Sequence, residues 1–219
     1  LARQRVTSRI RYEAISYLQY NTGDLPEELR TAALQLPDNI TGRMRSLVGD
    51  WRREAGSDSD VVRAALRHFN TQPYVYTLEP PRLGDNPVDE FLFTTQRGFC
   101  EHYAAAFVTL MRIAGIPARV VTGYQGGEYN PVGNYWLVRQ SDAHAWSEVW
   151  LPGTGWQRID PTAAVAPERI EHALDRSPQT AGEPASFLLG EGDFIARNWR
   201  TLRHIYDALD NTWNQWVLA

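Results

Sequence analysis

Cys100 is the sole cysteine of the chain, and a thiol becomes a nucleophile only as the thiolate, which a neighbouring imidazole or a helix N-terminus favours. Cys100 opens an apolar run just after Gly98, so a helix starting there would aim its first amide N–H groups at the sulfur. Of the five histidines, His144 lies in Ser141-Asp142-Ala143-His144-Ala145-Trp146, inside an alternating pattern whose strand would hold the ring rigidly, as a base requires. His102 follows Cys100 by two residues, a spacing that turns the two side chains to different sides of a helix. It is a poor base for Cys100 and a candidate for lining a cleft. A third group must fix the imidazole tautomer and stabilise the imidazolium. Asp160, which ends Trp156-Gln157-Arg158-Ile159-Asp160 and precedes Pro161, is the best-placed carboxylate. Plainer readings stand beside these: a buried structural cysteine, and an aspartate that caps or turns the chain before proline.

The elements that would position these groups follow from periodicity. Cys100 to Ala114 reads as a helix on the spacing of Cys100, Tyr103, Ala104, Phe107, Leu110, Met111 and Ala114, stopped by Gly115 and Pro117. Arg119 to Tyr124, Tyr135 to Gln140, Ala143 to Leu151 and Trp156 to Asp160 read as strands, the last two joined through Pro152-Gly153-Thr154-Gly155. If Leu151 to Gly155 forms the hairpin loop, Trp150 faces Trp156, Trp146 faces Asp160, and Asp160 lies diagonal to His144 on one sheet face. A slip of one residue would send Asp160 to the other face. The expected fold class is therefore α+β, a helix carrying the cysteine at its N-terminus and packed on an antiparallel sheet.

Upstream, Leu25 to Leu36, about Ile40 to Arg53 and Asp58 to Phe69 read as extra N-terminal helices, and Tyr74 to Thr77 as a short strand before the Pro-rich loop Glu79 to Pro87. Arg9 to Tyr20 fits a strand or a short helix. Ala166 to Pro184 has linker composition. Beyond it Ile195, Trp199, Leu202, Tyr206, Leu209, Trp213 and Trp216 mark one seam of a long C-terminal helix, suited to packing on the domain or, at its aromatic end, to a membrane interface. The expected organisation is a mostly helical segment over 1–56, a catalytic core over 57–166, and a linker with an amphipathic helix over 167–219.

Composition narrows the function. A net charge of -4 without a long basic run gives no footprint for nucleic acid. One cysteine leaves no internal disulfide and no message about compartment. A metal site from Cys100, His102 and His144 lacks the usual ligand spacings, so neither metal nor cofactor is expected. The start Leu1-Ala2-Arg3-Gln4-Arg5 has no initiator Met and no apolar leader, which reads as a soluble fragment of a longer protein. All 22 basic residues are Arg, so an enzyme joining acyl groups to Lys amines could not crosslink this chain through its own lysines.

Arg97-Gly98-Phe99-Cys100-Glu101-His102-Tyr103-Ala104, Gly115-Ile116-Pro117-Ala118-Arg119-Val120-Val121-Thr122-Gly123-Tyr124, Asp142-Ala143-His144-Ala145-Trp146 and Gly155-Trp156-Gln157-Arg158-Ile159-Asp160-Pro161-Thr162 together resemble the papain-like transglutaminase core family, and more narrowly its bacterial TgpA-like branch. The resemblance is densest from about Val88 to Ala166. It implies a nucleophile at Cys100, a base at His144 and an orienting carboxylate at Asp160. It also implies a periplasmic domain in a protein embedded in the membrane on both sides of it, with a protein or peptide acyl donor and an amine acceptor. The expected reaction is attack of the thiolate on a glutamine carboxamide, giving a thioester that an amine or water resolves. The Cys100 N–H is the expected oxyanion donor, with Gln96 or a nearby Trp as the second. Tyr135 and Trp146 are carried forward as substrate-facing aromatics, with sheet core as their plainer reading. Competing readings are a cysteine protease or amidase with the same triad, and an inactive peptide-binding domain of the cell envelope.

Overall fold

The computed structural model describes residues 7, 13–17 and 20–166. Of the stretch from Arg9 to Tyr20, the described residues form neither helix nor strand. The expected linker beyond Ala166 and the C-terminal helix lie outside the described residues.

Three helices come first: α1 (Glu27–Leu34), α2 (Gly42–Glu54) and α3 (Asp58–Thr71). Their starts follow the sequence signals. Thr41 accepts from the Met44 N–H at 3.4 Å and Ser57 from the Asp60 N–H at 3.2 Å, each satisfying one of the donors that a helix start leaves without a partner. β1 (Val75–Tyr76) follows, then α4 (Pro87–Glu90), which runs directly into a π turn over Phe91–Thr95, then β2 (Arg97–Gly98). β1 and β2 pair in parallel.

α5 (Cys100–Ile113) is the central helix. Its Phe107, Leu110 and Met111 are fully buried. Burial contributes about 1.5–3 kcal/mol per such side chain, whereas propensity differences between ordinary residues are a few tenths, so packing rather than propensity fixes this helix. Met44 and Val48 of α2, Val61, Val62, Ala65 and Phe69 of α3, and Tyr74 belong to the same core. Arg52 of α2 closes the far end by donating from Nε at 3.0 Å to the Ala114 carbonyl, one of the acceptors that a helix C-terminus leaves open.

α5 lies on a three-stranded antiparallel sheet ordered β3 (Ala118–Tyr124), β6 (Ala143–Leu151), β7 (Gly155–Ile159). The β6–β7 register pairs Trp150 with Trp156 and Ser147 with Ile159, the pairing that the Pro152-Gly153-Thr154 turn predicts. The α5 side of the sheet is made of Ala118, Ala145, Ser147 and Val149, all buried, and Ser147 Oγ donates to the Ala104 carbonyl of α5 at 3.3 Å.

The sheet differs from expectation in one respect. The strand expected over Tyr135 to Gln140 is the shorter β5 (Tyr135–Leu137), and it pairs with β4 (Glu128–Asn130) rather than joining β3, β6 and β7. Asn130 Oδ1 accepts from the Val132 and Gly133 N–H groups, folding the chain back within five residues. Period-two alternation marks a strand but not its partner. Of the described residues, one compact unit takes in 21–126 and 139–166, and the other takes in 7, 13–17, 20 and the hairpin residues 127–138.

Candidate active site

Cys100 is the first residue of α5. Its approach is braced on both sides. Val75 N–H donates to the Gln96 carbonyl and Thr77 N–H to the Gly98 carbonyl, each at 2.8 Å. The Tyr74 hydroxyl donates to the Leu92 carbonyl of the π turn at 2.9 Å. Gly98 is required by space: a Cβ there would fall 2.7 Å from His102 Cβ and 3.0 Å from Phe91 Cε2. π turns concentrate at functional sites because their irregular ladder re-aims the chain that follows.

His144 and Asp160 meet as the register demands. His144 Nε2 lies 2.7 Å from Asp160 Oδ2, with each side chain about one-tenth exposed. The other carboxylate oxygen accepts from the Thr162 N–H at 3.1 Å. With Nε2 engaged, Nδ1 is the ring nitrogen left to face the thiol, and a hydrogen bond links the His144 and Cys100 side chains.

The sulfur has a second partner that comes from the sheet itself. Trp150 N–H donates to the Pro117 carbonyl, so alternate residues from Ala145 to Leu151 turn their N–H groups the other way, toward β7. β7 ends at Ile159, and Pro161 begins a 3-10 turn. The Ala145 N–H is thereby left without a ladder partner, and it donates to the Cys100 sulfur. The helix packs beneath Ala145, Ser147 and Val149, so alternation puts His144 on the opposite sheet face. Thiol and imidazole meet where β7 has stopped.

The electrostatics favour an ion pair. Burial alone would push the Cys100 thiol up, but the His144 hydrogen bond, the Ala145 N–H, the imidazolium charge and the Glu101 N–H together bring it below its ordinary value. Burial would likewise pull the His144 imidazole down. Its bonds to Asp160 and Cys100, with the charge on both, push it instead up to about 9. Both shifts run toward the thiolate and the imidazolium, the pair of forms that nucleophilic attack requires.

The other four sequence-selected residues take different places. His102 Nδ1 accepts from the Phe99 N–H at 3.3 Å, so this histidine caps α5, and burial holds its imidazole below the usual value. The Gln96 side chain bonds to the Tyr74 hydroxyl, with its backbone in the left-handed region at φ 49°. Trp146 lies beside His144, ring centroids 6.3 Å apart and planes within 23°, and its indole N–H is buried with no hydrogen-bond partner among the described residues. Tyr135 belongs to the β4–β5 hairpin, where its hydroxyl accepts from Asn130 Nδ2 at 3.1 Å.

Two neighbours of the site escaped the sequence reading. Arg158 lies over the Trp146 ring, and Gly123 pairs with His144 across β3 and β6. The register carries both signals: Arg158 stands two residues before Asp160 on its strand, and Gly123 is the residue opposite the histidine.

Comparison with known proteins bears on what this geometry serves. Residues 45–161 match the family model described as the Transglutaminase-like superfamily. The chain is 45% identical over 224 residues to the protein-glutamine gamma-glutamyltransferase of Pseudomonas aeruginosa, an alignment covering 99% of this chain and 33% of that protein. It is 37% identical over 136 residues to the uncharacterized protein YebA of Bacillus subtilis, covering 59% of this chain and 18% of that one. The crystal structure of the periplasmic domain of TgpA from Pseudomonas aeruginosa superposes with a TM-score of 0.66 at 51% identity, over 70% of this chain and 53% of that domain. The chain thus spans about a third of the first relative and about half of the solved domain.

Proposed function

The chain belongs to the transglutaminase-like superfamily, and from that premise we propose that it is a thiol acyltransferase acting on the side-chain carboxamide of glutamine. Cys100 is the nucleophile, His144 the acid and base, and Asp160 the group that orients the imidazole. The observation that carries this reading is a single contact set: His144 bridges the Cys100 thiol and the Asp160 carboxylate, which come from three separate stretches of chain.

The thiolate adds to the carboxamide carbon, and the oxyanion is met by the Cys100 N–H, one of the first-turn donors of α5 that have no helix partner. As the C–N bond breaks, His144 gives its proton to the nitrogen and ammonia leaves, with a thioester on Cys100. The now neutral imidazole takes a proton from the incoming amine as that amine attacks the thioester, and the thiolate departs. The product is an isopeptide; water in place of the amine gives glutamate. The Trp146 indole forms the wall beside the imidazole.

The proposed setting is periplasmic, within a protein held in the membrane on both sides of this domain, with a protein or peptide donor and an amine acceptor. Its support is the similarity to the periplasmic domain of TgpA. The reaction is tested by incubating a glutamine-containing protein with a tagged primary amine and following incorporation by mass spectrometry. Label transfer that Cys100→Ala abolishes is the expected result. Ammonia release with no label transfer would assign the site to amidase chemistry, and equal labelling by Cys100→Ala would remove Cys100 from the reaction.

A further inference from the structure

The outer face of the sheet carries an alternation of cations and indoles that ends on the proposed base. Arg119 Cζ lies 4.1 Å from the centroid of the Trp156 ring, and Arg158 Cζ lies 4.3 Å from that of Trp146. Glu148 stands opposite both arginines across the ladder, and its ion pair is with Arg119, Oε2 to Nη2 2.6 Å. Arg158 leans the other way. It covers Trp146, and its Nη2 comes to 4.0 Å from the Asp160 oxygen that holds His144. From β3, Gly123 leaves the indole room: a Cβ there would fall 2.7 Å from Trp146 Cη2.

We propose that Arg158 is a positioning residue for His144: its guanidinium pins the Trp146 indole beside the imidazole and so holds that ring in line between Cys100 and Asp160. This rests on the reading of His144 as the base. A planar guanidinium suits the task because it stacks flat on an indole while its edge still meets a carboxylate, which an ammonium cannot do. Left to itself the imidazole has two soft torsions, and a loosely held base loses rate steeply with small displacements. Trp146 restricts the ring on one side, the Asp160 bond at its tip, and Arg158 restrains both partners at once.

Among the described residues, the charged groups acting on His144 are Cys100 from α5 and Asp160 just beyond β7, and Arg158 of β7 approaches through Asp160. Glu148, further along β6, is paired with Arg119 of β3. Arg158→Leu therefore removes a cation as well as a clamp, and both changes make the thiolate harder to form. The test needs no substrate. Cys100 is the sole cysteine, so its alkylation by iodoacetamide as a function of pH reports thiolate formation directly, and thermal melting runs alongside. In Arg158→Leu the pH at which alkylation switches on moves up by roughly one unit, which below that pH slows the reaction about ten-fold. Arg158→Lys restores the charge without the flat stack and recovers part of the shift. Gly123→Ala, which leaves every charge in place and displaces the indole from below, shifts the profile in the same direction and serves where Arg158→Leu does not fold. A wild-type profile in both Arg158→Leu and Gly123→Ala would overturn the proposal, as would a melting temperature lowered with the profile unmoved. A wild-type profile typical of a free thiol would instead sink the underlying reading of His144, and the wild-type arm alone shows it.

Discussion

The two faces of the β3–β6–β7 sheet are built from opposite materials. Toward α5 it presents Ala118, Ala145, Ser147 and Val149, small or aliphatic and all buried. Away from α5 it presents His144, Trp146 and Glu148 of β6 with Arg158 and Trp156 of β7. One strand supplies both because its side chains alternate. The inner face is held by close packing, which fixes the backbone of β6 to within the tolerance of a filled core. The outer face can then carry charge, since its groups inherit their positions from a strand that cannot shift. Ala145 shows the dependence most clearly: its methyl lies in the packed layer, and its backbone N–H meets the sulfur.

If the two faces divide the work in this way, substitutions should separate rate from stability. The largest effect on rate is expected from Cys100→Ala, with amine incorporation reduced at least about 1,000-fold and the unfolding midpoint nearly unchanged. Asp160→Asn keeps the shape of the orienting group and removes its charge; a fall of about 100- to 10,000-fold in turnover is expected, with binding of the glutamine donor little altered. The pH profile of turnover comes next. Chemistry needs the thiolate and the imidazolium together, so activity is lost toward acid as Cys100 gains its proton, at a pH below the ordinary thiol range. It is lost toward alkali as His144 gives up its proton near about 9. A single limb at the value of a free thiol would break the comparison. The smallest effect on rate belongs to the inner face. Val149→Ala should cost about 2 kcal/mol of stability by denaturant titration and leave the alkylation profile of Cys100 where it was. A displaced profile would mean that the two faces are not separable.

Much of this arrangement is legible in the sequence, because its signals are local. Gly115 and Pro117 end the cysteine helix, and Pro152-Gly153-Thr154 fixes a register that puts Asp160 diagonal to His144 without any tertiary knowledge. What escapes notice depends on distant partners. The π turn over Phe91–Thr95 is braced by the hydroxyl of Tyr74, a contact that no periodicity announces. Gln96 and His102, chosen for their nearness to Cys100 in sequence, also bond to the Tyr74 hydroxyl and to the Phe99 N–H respectively, contacts that spacing alone does not announce. Tyr135 alternates as a sheet residue should, yet its strand pairs within a hairpin of its own. The face of the sheet that covers α5 was likewise hidden, since Ala143 to Leu151 alternates between two sets that both contain apolar residues.

The central claim is the meeting of Cys100 with His144, and alkylation of that cysteine against pH in wild type and in His144→Ala tests it most directly. Wild-type Cys100 is expected to react below the ordinary thiol range, and His144→Ala to move the switch up into that range or beyond it, because burial then acts with no imidazolium to oppose it. The same profile in both proteins would contradict it.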